Sequence, residues 1–436
     1  MKKSVSLKLI IFSFLLVAGS VAYSAPVIGP GTGTDSTIAG VGNEASKAYS
    51  SAFGNQNKAS GEISSAFGSN NKASGVYSSA FGFDNKATEN YSSAFGNQNK
   101  AGGRNSSAVG FNNTASEISS SAFGLSNTAS GVNSSAVGFN NTATGINSSA
   151  IGYQNETSGV ISSAFGFRNK ASGMNSSAIG YQNEASGENS STVGLYNKAS
   201  AKNSSAFGTV NTASGINSST VGTVNTASGK NSSAFGSQYK VTGEASGAFG
   251  VGKATWNNTT KVFDYDYINE GKNSYMFGNY NKIAAGTENN FILGNNVSIG
   301  SGINNSVGLG NGSTVSSSNE VSVGSATLKR KITNVADGDV SATSTDAVNG
   351  RQLYKAMQNS NENLRNEVNE KIDDVKDEVN HVGSLSAALA GLHPMQYDPK
   401  APTQVMAALG NYKNKQSVAV GLSYYFNDRF MMSAGV

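Results

Sequence analysis

Residues able to make or break a bond are scarce in this chain. Its 436 residues include no cysteine and only two histidines, His381 and His393, and no His-Glu-x-x-His or paired acidic motif appears. A catalytic site needs nucleophile, base or metal ligands brought together, so no enzyme and no cofactor is expected. β-Helical acyltransferases repeat every six residues and commonly use a histidine, whereas neither histidine here lies in a repeat. The "GPGTG" at Gly29–Gly33 lacks the strand-then-helix context of a phosphate loop. What the sequence does space regularly is positive charge. Lys58, Lys72, Lys86 and Lys100 recur every fourteen residues, and their chemistry would be charge recognition. Ammonium groups stacked at one spacing repel and turn to solvent, where an acidic glycan or matrix protein could meet them. Exposed lysines also protect sheet edges from aggregation.

The element that spaces these lysines is a repeat. A glycine after an apolar residue recurs from Gly54 through Gly68, Gly82 and Gly96 to Gly250 in unbroken steps of fourteen, the signature of a solenoid. Each unit approximates x-x-S-S-A-F-G-x-x-N-K-A-S-G. "SSAFG" is too short for a helix and suits a strand, whose alternate side chains face opposite ways. The apolar column is Phe53, Phe67, Phe81, Phe95, Val109, Phe123, Val137, Ile151 and onward, and alanine fills the other face. One column is expected inside its own coil and the other against a neighbouring chain. The Asn three residues after each glycine (Asn57, Asn71, Asn85 onward) suits a tight left-handed corner. A second glycine, as at Gly61 and Gly75, marks another. Two corners per coil imply two short strands, a β-roll.

Composition agrees with a thin roll. Apolar residues make up 37% and charged residues 13%, with 52 glycines and five prolines. That is too little charge for charge-driven disorder and too many small residues for a thick core. A net charge of +4 gives no reason to expect nucleic acid. Fifteen coils would rise about 70 Å and leave an apolar column bare along that length, which a symmetric oligomer would cover in every coil.

Around the roll (residues 40–250) the sequence divides further. Residues 1–24 read as a secretory signal: Lys2 and Lys3, the apolar "LIIFSFLLVAG", then a small-residue exit with cleavage after Ser24. A flexible leader (25–39) follows. Residues 251–277 interrupt the repeat and read as a surface insertion. Degenerate coils resume over 278–328, and 329–354 is a connector in which Thr345–Asp346 is expected to cap the next helix. Over 355–382 apolar residues step by three and four, and Leu364, Ile372, Val375 and Val379 lie on the seam of a short coiled coil. Its β-branched run favours three strands, and steps of four from Ser360 to Ile372 locally unwind it. Residues 383–436 begin with a small-residue helix. In "QSVAVGLSYYF", Val418, Val420, Leu422, Tyr424 and Phe426 share one face, with Ala419, Gly421 and Ser423 on the other. Large-out, small-in alternation is the pattern of a membrane β-barrel strand, here with helices filling the lumen. Two or three strands cannot close alone in lipid, so other subunits must complete the barrel.

This order of parts resembles the YadA-like family of trimeric autotransporter adhesins over essentially the whole mature chain. The head motif is matched by "NSSAVG" at Asn133–Gly138 and "NSSAIG" at Asn147–Gly152 and Asn175–Gly180, with Ser135, Ser149 and Ser177 where the family's usual residue is Val. The neck is matched by "ITNVADG" and "TDAVNGRQL", carrying Ile332, Asn334, Val335, Asp346, Ala347, Val348, Asn349, Gln352 and Leu353. The segment from Met406 resembles the anchor. The resemblance implies an all-β, left-handed parallel β-roll head, trimeric, then a neck, a short trimeric coiled-coil stalk and a membrane β-barrel shared by three chains. In the family each chain gives four strands to a twelve-stranded barrel. The chain ends at Val436, inside the expected third strand, so the anchor is expected to continue beyond it.

A homotrimer in the outer membrane of a Gram-negative-type bacterium is implied, its passenger extracellular. It would attach to host matrix or cells, and autoagglutination is a possible second outcome. The expected trimer core comprises Phe53, Phe67, Phe81, Phe95, Val137, Ile151 and the four seam residues of the stalk. Outer-membrane lipid would meet Val418 to Phe426. The competing reading is a structural or ice-contacting solenoid. Thr114, Thr128 and Thr142 hint at it, but Glu156 and Lys170 interrupt that ladder.

Overall fold

A computed structural model describes residues 28–436 in two compact units that divide after Arg330. The expected signal peptide lies outside the described residues. In the first unit each coil up to Val251 gives one five-residue strand and, before the hairpin, one two-residue strand, such as Ser51–Asn55 and Lys58–Ala59. The long strands shorten to three residues from Tyr275 to Leu309. Long strands pair in parallel exactly one repeat apart, Ala52 with Ala66, Phe53 with Phe67 and Gly54 with Gly68. Short strands do the same, Lys58 with Lys72 and Ala59 with Ala73. The unit is a β-solenoid.

Alternation along the strand decides what lies inside. Ala52 from the long strand and Ala59 from the short one are fully buried, and so are their repeats. Two sheets so close leave room for small side chains, mostly methyl groups, with Thr157, Thr192, Thr220 and Val241 buried at the same positions. The phenylalanines point the other way. Phe53, Phe67, Phe81 and Phe95 stack along the roll at 4.7, 4.8 and 4.9 Å between ring centres, which is the rise of one coil.

The corners differ from the expectation. The left-handed residue is the one before each repeat asparagine: Gln56 at φ 57°, Asn70 at 57° and Asp84 at 51°. A second left-handed corner falls at Tyr49, Ile63 and Tyr77. The repeat asparagine itself is buried and forms an internal ladder. Asn57 Nδ2 donates to Phe53 O at 2.8 Å, to Gly68 O at 2.7 Å and to Asn43 Oδ1 at 3.0 Å. Its backbone N–H donates to that same Asn43 Oδ1. A chain turning between strands leaves buried carbonyls without a ladder partner, and these must be paired. The amide supplies the missing donors.

The two glycines serve different needs. Gly54 has φ +116° and any Cβ there would lie 2.0 Å from Gly68 O. Gly61 has no left-handed backbone, but a Cβ would meet Gly75 O at 2.0 Å. The second glycine therefore admits the next coil rather than forming a left-handed corner.

The leader is not wholly loose as expected: Ile28–Pro30 forms a strand antiparallel to Thr37–Val41, and Thr37–Val41 already pairs with the first full coil. The insertion is a hairpin, Ala254–Asn257 against Val262–Tyr265. It leaves one coil between that coil's long and short strands, because Gly247–Val251 pairs directly with Tyr275–Phe277, and Lys240–Val241 with Ile268–Asn269. Tyr265 Oη fastens it to the roll at Thr226 Oγ1, 2.9 Å, and Val224 O, 3.2 Å.

The hairpin coil has lost its ladder asparagine, and Tyr239 spans the gap. Its backbone N–H donates to Asn225 Oδ1, while its phenol donates to Gly278 O at 2.9 Å and accepts from the Asn281 N–H at 3.1 Å. Burial pushes its pKa up to about 12. An unfolded tyrosine ionises near pH 10, so between those values the folded state holds the extra proton, and the contribution of this residue falls as pH rises through that window. Tyr239→Phe is expected to cost about 1–3 kcal/mol at neutral pH, and to lose less stability than the parent between pH 9 and 11. Urea denaturation at both pH values checks this.

Beyond the hairpin the hydrogen-bonding offset lengthens to 16 residues, as from Val297 N–H to Asn281 Oδ1. The core thickens to Met276, Ile283, Ile292 and Ile299. Arg330 closes this end, donating to Val323 O at 2.6 Å, to Ser313 Oγ at 3.0 Å and to Asn311 O.

The second unit holds an irregular segment, a 41-residue helix (Gly350–Ala390) and three antiparallel strands, Thr403–Tyr412, Lys415–Asn427 and Phe430–Gly435. The helix cap is Asn349, in a reciprocal capping box with Gln352, rather than the expected Thr345–Asp346. Asp346 is used instead within the loop, where its Oδ2 accepts from the Asp339 N–H at 3.0 Å.

Candidate functional site

The repeat geometry arranges side chains into columns, so the site is a set of surfaces rather than a cleft. Lys58, Lys72, Lys86 and Lys100 occupy one outward column of the short strands in consecutive register, and all four are exposed. Lys58 pairs with Glu44 at 2.8 Å, and Lys86 reaches Asp84 at 3.7 Å.

On the long strands, Phe53, Phe67, Phe81, Val137 and Ile151 are half-buried and Phe95 is exposed. Two residues further along each strand runs a second outward column that sequence reasoning passed over. In it Phe139, Tyr153, Phe167 and Tyr181 stack at 4.8 Å, with the Arg168 guanidinium 5.0 Å above the Phe167 ring. The signal was present as an aromatic directly after the repeat glycine, but apart from Phe83 and Phe111 that position elsewhere holds Asn, Ser, Leu, Thr or Val, which hid the column.

In the connector, the polar residues of the neck motif fold the chain onto the helix start. Asn349 Nδ2 donates to Val335 O at 3.1 Å and Asp337 Oδ1 at 2.7 Å. Gln352 Nε2 donates to Gly338 O at 2.6 Å, and its Oε1 accepts from the Gly338 N–H at 3.0 Å. Arg351 donates to Asp337 at 2.7 Å, and with Asn349 it holds that carboxyl below the usual range. Asn334 sits in left-handed backbone at φ 62°. The apolar members Ile332, Val335, Val348 and Leu353 are exposed, as is Ala347. On the helix Leu364, Ile372, Val375 and Val379 are each more than half exposed.

At the C-terminal end the helix lies on the small face of the sheet. Ser417, Ala419 and Ser423 are buried beneath it, with Ser384 Oγ 2.6 Å from Ser417 Oγ. Gly410 permits the approach, since a Cβ there would lie 2.1 Å from Ser384 O. Val418, Val420, Leu422, Tyr424 and Phe426 point away from the helix and are exposed. This single-chain arrangement has the small face covered by helix and the large face bare. No helix among the described residues is long and apolar enough to cross a membrane, which says nothing of strands. Among the described residues no group of His, Asp or Glu is placed to hold a metal ion.

Known families match in the same order. The YadA head domain repeat (2 copies) matches eight segments between residues 45 and 238, including 45–71, 73–99 and 213–238. The coiled stalk of trimeric autotransporter adhesin matches residues 331–375. The YadA-like membrane anchor domain matches residues 395–436. Autotransporter adhesin BtaE of Brucella suis biovar 1 (strain 1330) is 68% identical over 34 residues, which are 8% of this chain and 5% of that protein. The chain thus matches only a small part of that relative's length. A solved structure, the collagen-binding domain of Yersinia adhesin YadA, aligns at 20% identity over 59% of this chain and 84% of its own, with a TM-score of 0.20. With head, stalk and anchor all matched in sequence order, the chain belongs to the YadA-like trimeric autotransporter adhesin family.

Proposed function

We propose that three copies of this chain assemble into a cell-surface adhesin. In this reading the heads are left-handed rolls packed about a common axis, the helices form a trimeric stalk, and the C-terminal strands are pooled into one outer-membrane barrel. The observation that carries it is the succession of apolar surfaces a single copy leaves uncovered: the stacked phenylalanines, the helix seam and the outer face of the last strands. Exposed apolar tracks of this length mark interfaces. Phe53, Phe67, Phe81, Phe95, Val137 and Ile151 would meet their symmetry mates in the head, and Leu364, Ile372, Val375 and Val379 in the stalk. The neck residues would pass the chain from roll to helix. Outer-membrane lipid would cover Val418 to Phe426, with the three helices inside the barrel.

The work of such a molecule is attachment to host matrix protein or acidic glycan. Contacts that are weak singly gain strength through effective concentration when repeated along a roll and across three chains. Whole cells of a non-adherent Gram-negative host carrying the full chain should bind matrix-coated plates or clump, while the empty-vector cells do neither. Cells that display the protein yet neither bind nor clump would contradict adhesion.

A further inference from the structure

The outward column of the short strands changes its charge pattern along the roll. In later coils it reads Glu156, Lys170, Glu184, Lys198, with Lys170 3.2 Å from Glu156 and Lys198 2.9 Å from Glu184. One backbone position at one rise can therefore neutralise itself by alternating sign. In early coils it does not. Lys58, Lys72, Lys86 and Lys100 follow one another, and Glu44 pairs with the first alone. Asp84 reaches only Lys86, and among the described residues Lys72 and Lys100 have no carboxylate within ion-pair distance. Like charges stacked one coil apart repel, and Lys72 and Lys100, with no carboxylate of their own, are open to negative charge from outside the chain.

The geometry limits what can bring that charge. The four ammonium groups line up along the roll axis over three coil rises, about 14 Å, so the matching partner is linear and lies parallel to the axis. The neighbouring columns are polar on both sides. One side is flanked by Gln56, Asn70 and Gln98, with the Asp84 carboxylate that pairs with Lys86 between the last two, and the other by Ser60, Ser74, Thr88 and Gly102. Amides and hydroxyls suit a polyhydroxylated chain. These flanking positions hold no aromatic residue on which nucleic-acid bases could stack.

We propose that Lys58, Lys72, Lys86 and Lys100 form a track that binds a linear polyanionic glycan along the roll axis. The proposal rests on the adhesin reading for its multiplication over three chains, though the track lies within one chain.

The test uses full-length protein in detergent, with heparin as the sulfated probe, hyaluronan as the carboxylated probe, neutral dextran, and duplex DNA. Binding to at least one acidic glycan is expected, falling steeply with salt, and none to dextran. The relative affinities for heparin and hyaluronan tell whether sulfate or carboxylate is the better counter-charge. Replacing all four lysines (Lys58→Gln, Lys72→Gln, Lys86→Gln, Lys100→Gln) should weaken binding at least about tenfold. Lys170→Gln with Lys198→Gln, in the self-neutralised run of the same column, should change it less than about twofold. The four-fold Lys→Arg variant should keep binding, and this answers any folding defect of the glutamine variant. Equal loss in both glutamine variants, salt-independent binding, no binding to either glycan, or tighter binding of DNA than of both glycans would each overturn the track. Cells that still adhere to matrix protein after the track has failed would leave the adhesin reading standing.

Discussion

Asn127→Ala should unfold the roll locally around its coil, at a cost of about 3–5 kcal/mol. Asn127 Nδ2 donates to Phe123 O at 2.9 Å, Gly138 O at 2.7 Å and Asn113 Oδ1 at 3.0 Å. Its Oδ1 accepts from both the backbone N–H and the Nδ2 of Asn141. Truncation leaves several buried groups in adjoining coils without partners, at a site fully buried among neighbouring coils. Because each coil touches only its neighbours, the loss should spread by nearest-neighbour coupling rather than through the whole chain. Hydrogen exchange should show faster amides in the coils around residue 127 and little change near residue 57. The adjacent position gives the contrast. Ser126 is held in left-handed backbone at φ 58°, so Ser126→Gly should be neutral or stabilise by up to about 1 kcal/mol. Equal, negligible effects at both positions would show that the asparagine ladder does not support the fold.

Gly138→Ala should be at least as damaging. Gly138 has φ +119°, and its Cβ would lie 2.1 Å from Gly152 O in the next coil. Left-handed strain and a collision with backbone act together, and the carbonyl cannot swing aside without breaking the ladder that holds it. We expect a loss of more than about 4 kcal/mol, read as a lowered thermal midpoint and protease cutting near residue 138. Gly102→Ala is the matched control. Its backbone is not left-handed and the nearest atoms to a Cβ lie 3.7 Å away, so alanine should be tolerated and stabilise by about 0.5 kcal/mol through the unfolded chain.

These sites show what the sequence could disclose. A fixed glycine spacing required coil to stack on coil in register, and alternation within "SSAFG" separated an alanine face from an aromatic one. The asparagine's task was harder to read, because its type suits a corner and an internal ladder equally well. Only burial distinguishes the two, and the residue that takes the corner varies freely, as Gln56, Asn70 and Val210 show. Tyr239 escaped notice because it stands at the asparagine position of its own coil, and its reach to Gly278 and Asn281 shows only once the hairpin coil is placed between them. The helix start misled for a related reason. Thr345–Asp346 and Asn349 are all good caps in isolation, but Asn349 is placed three residues before Gln352, and that spacing closes a capping box. The second aromatic column was obscured by averaging over coils. In the anchor, large-out and small-in alternation was legible, whereas the glycine contacts that seat the helix depend on its pairing with the sheet.

Every surface assigned to assembly is at least partly open in one copy, so the number of copies in the native molecule decides whether it is covered. The direct measurement is the mass of the full chain extracted from outer membranes in mild detergent, taken by native mass spectrometry without crosslinking. Three chains per particle is the predicted result. A folded particle containing a single chain would contradict it.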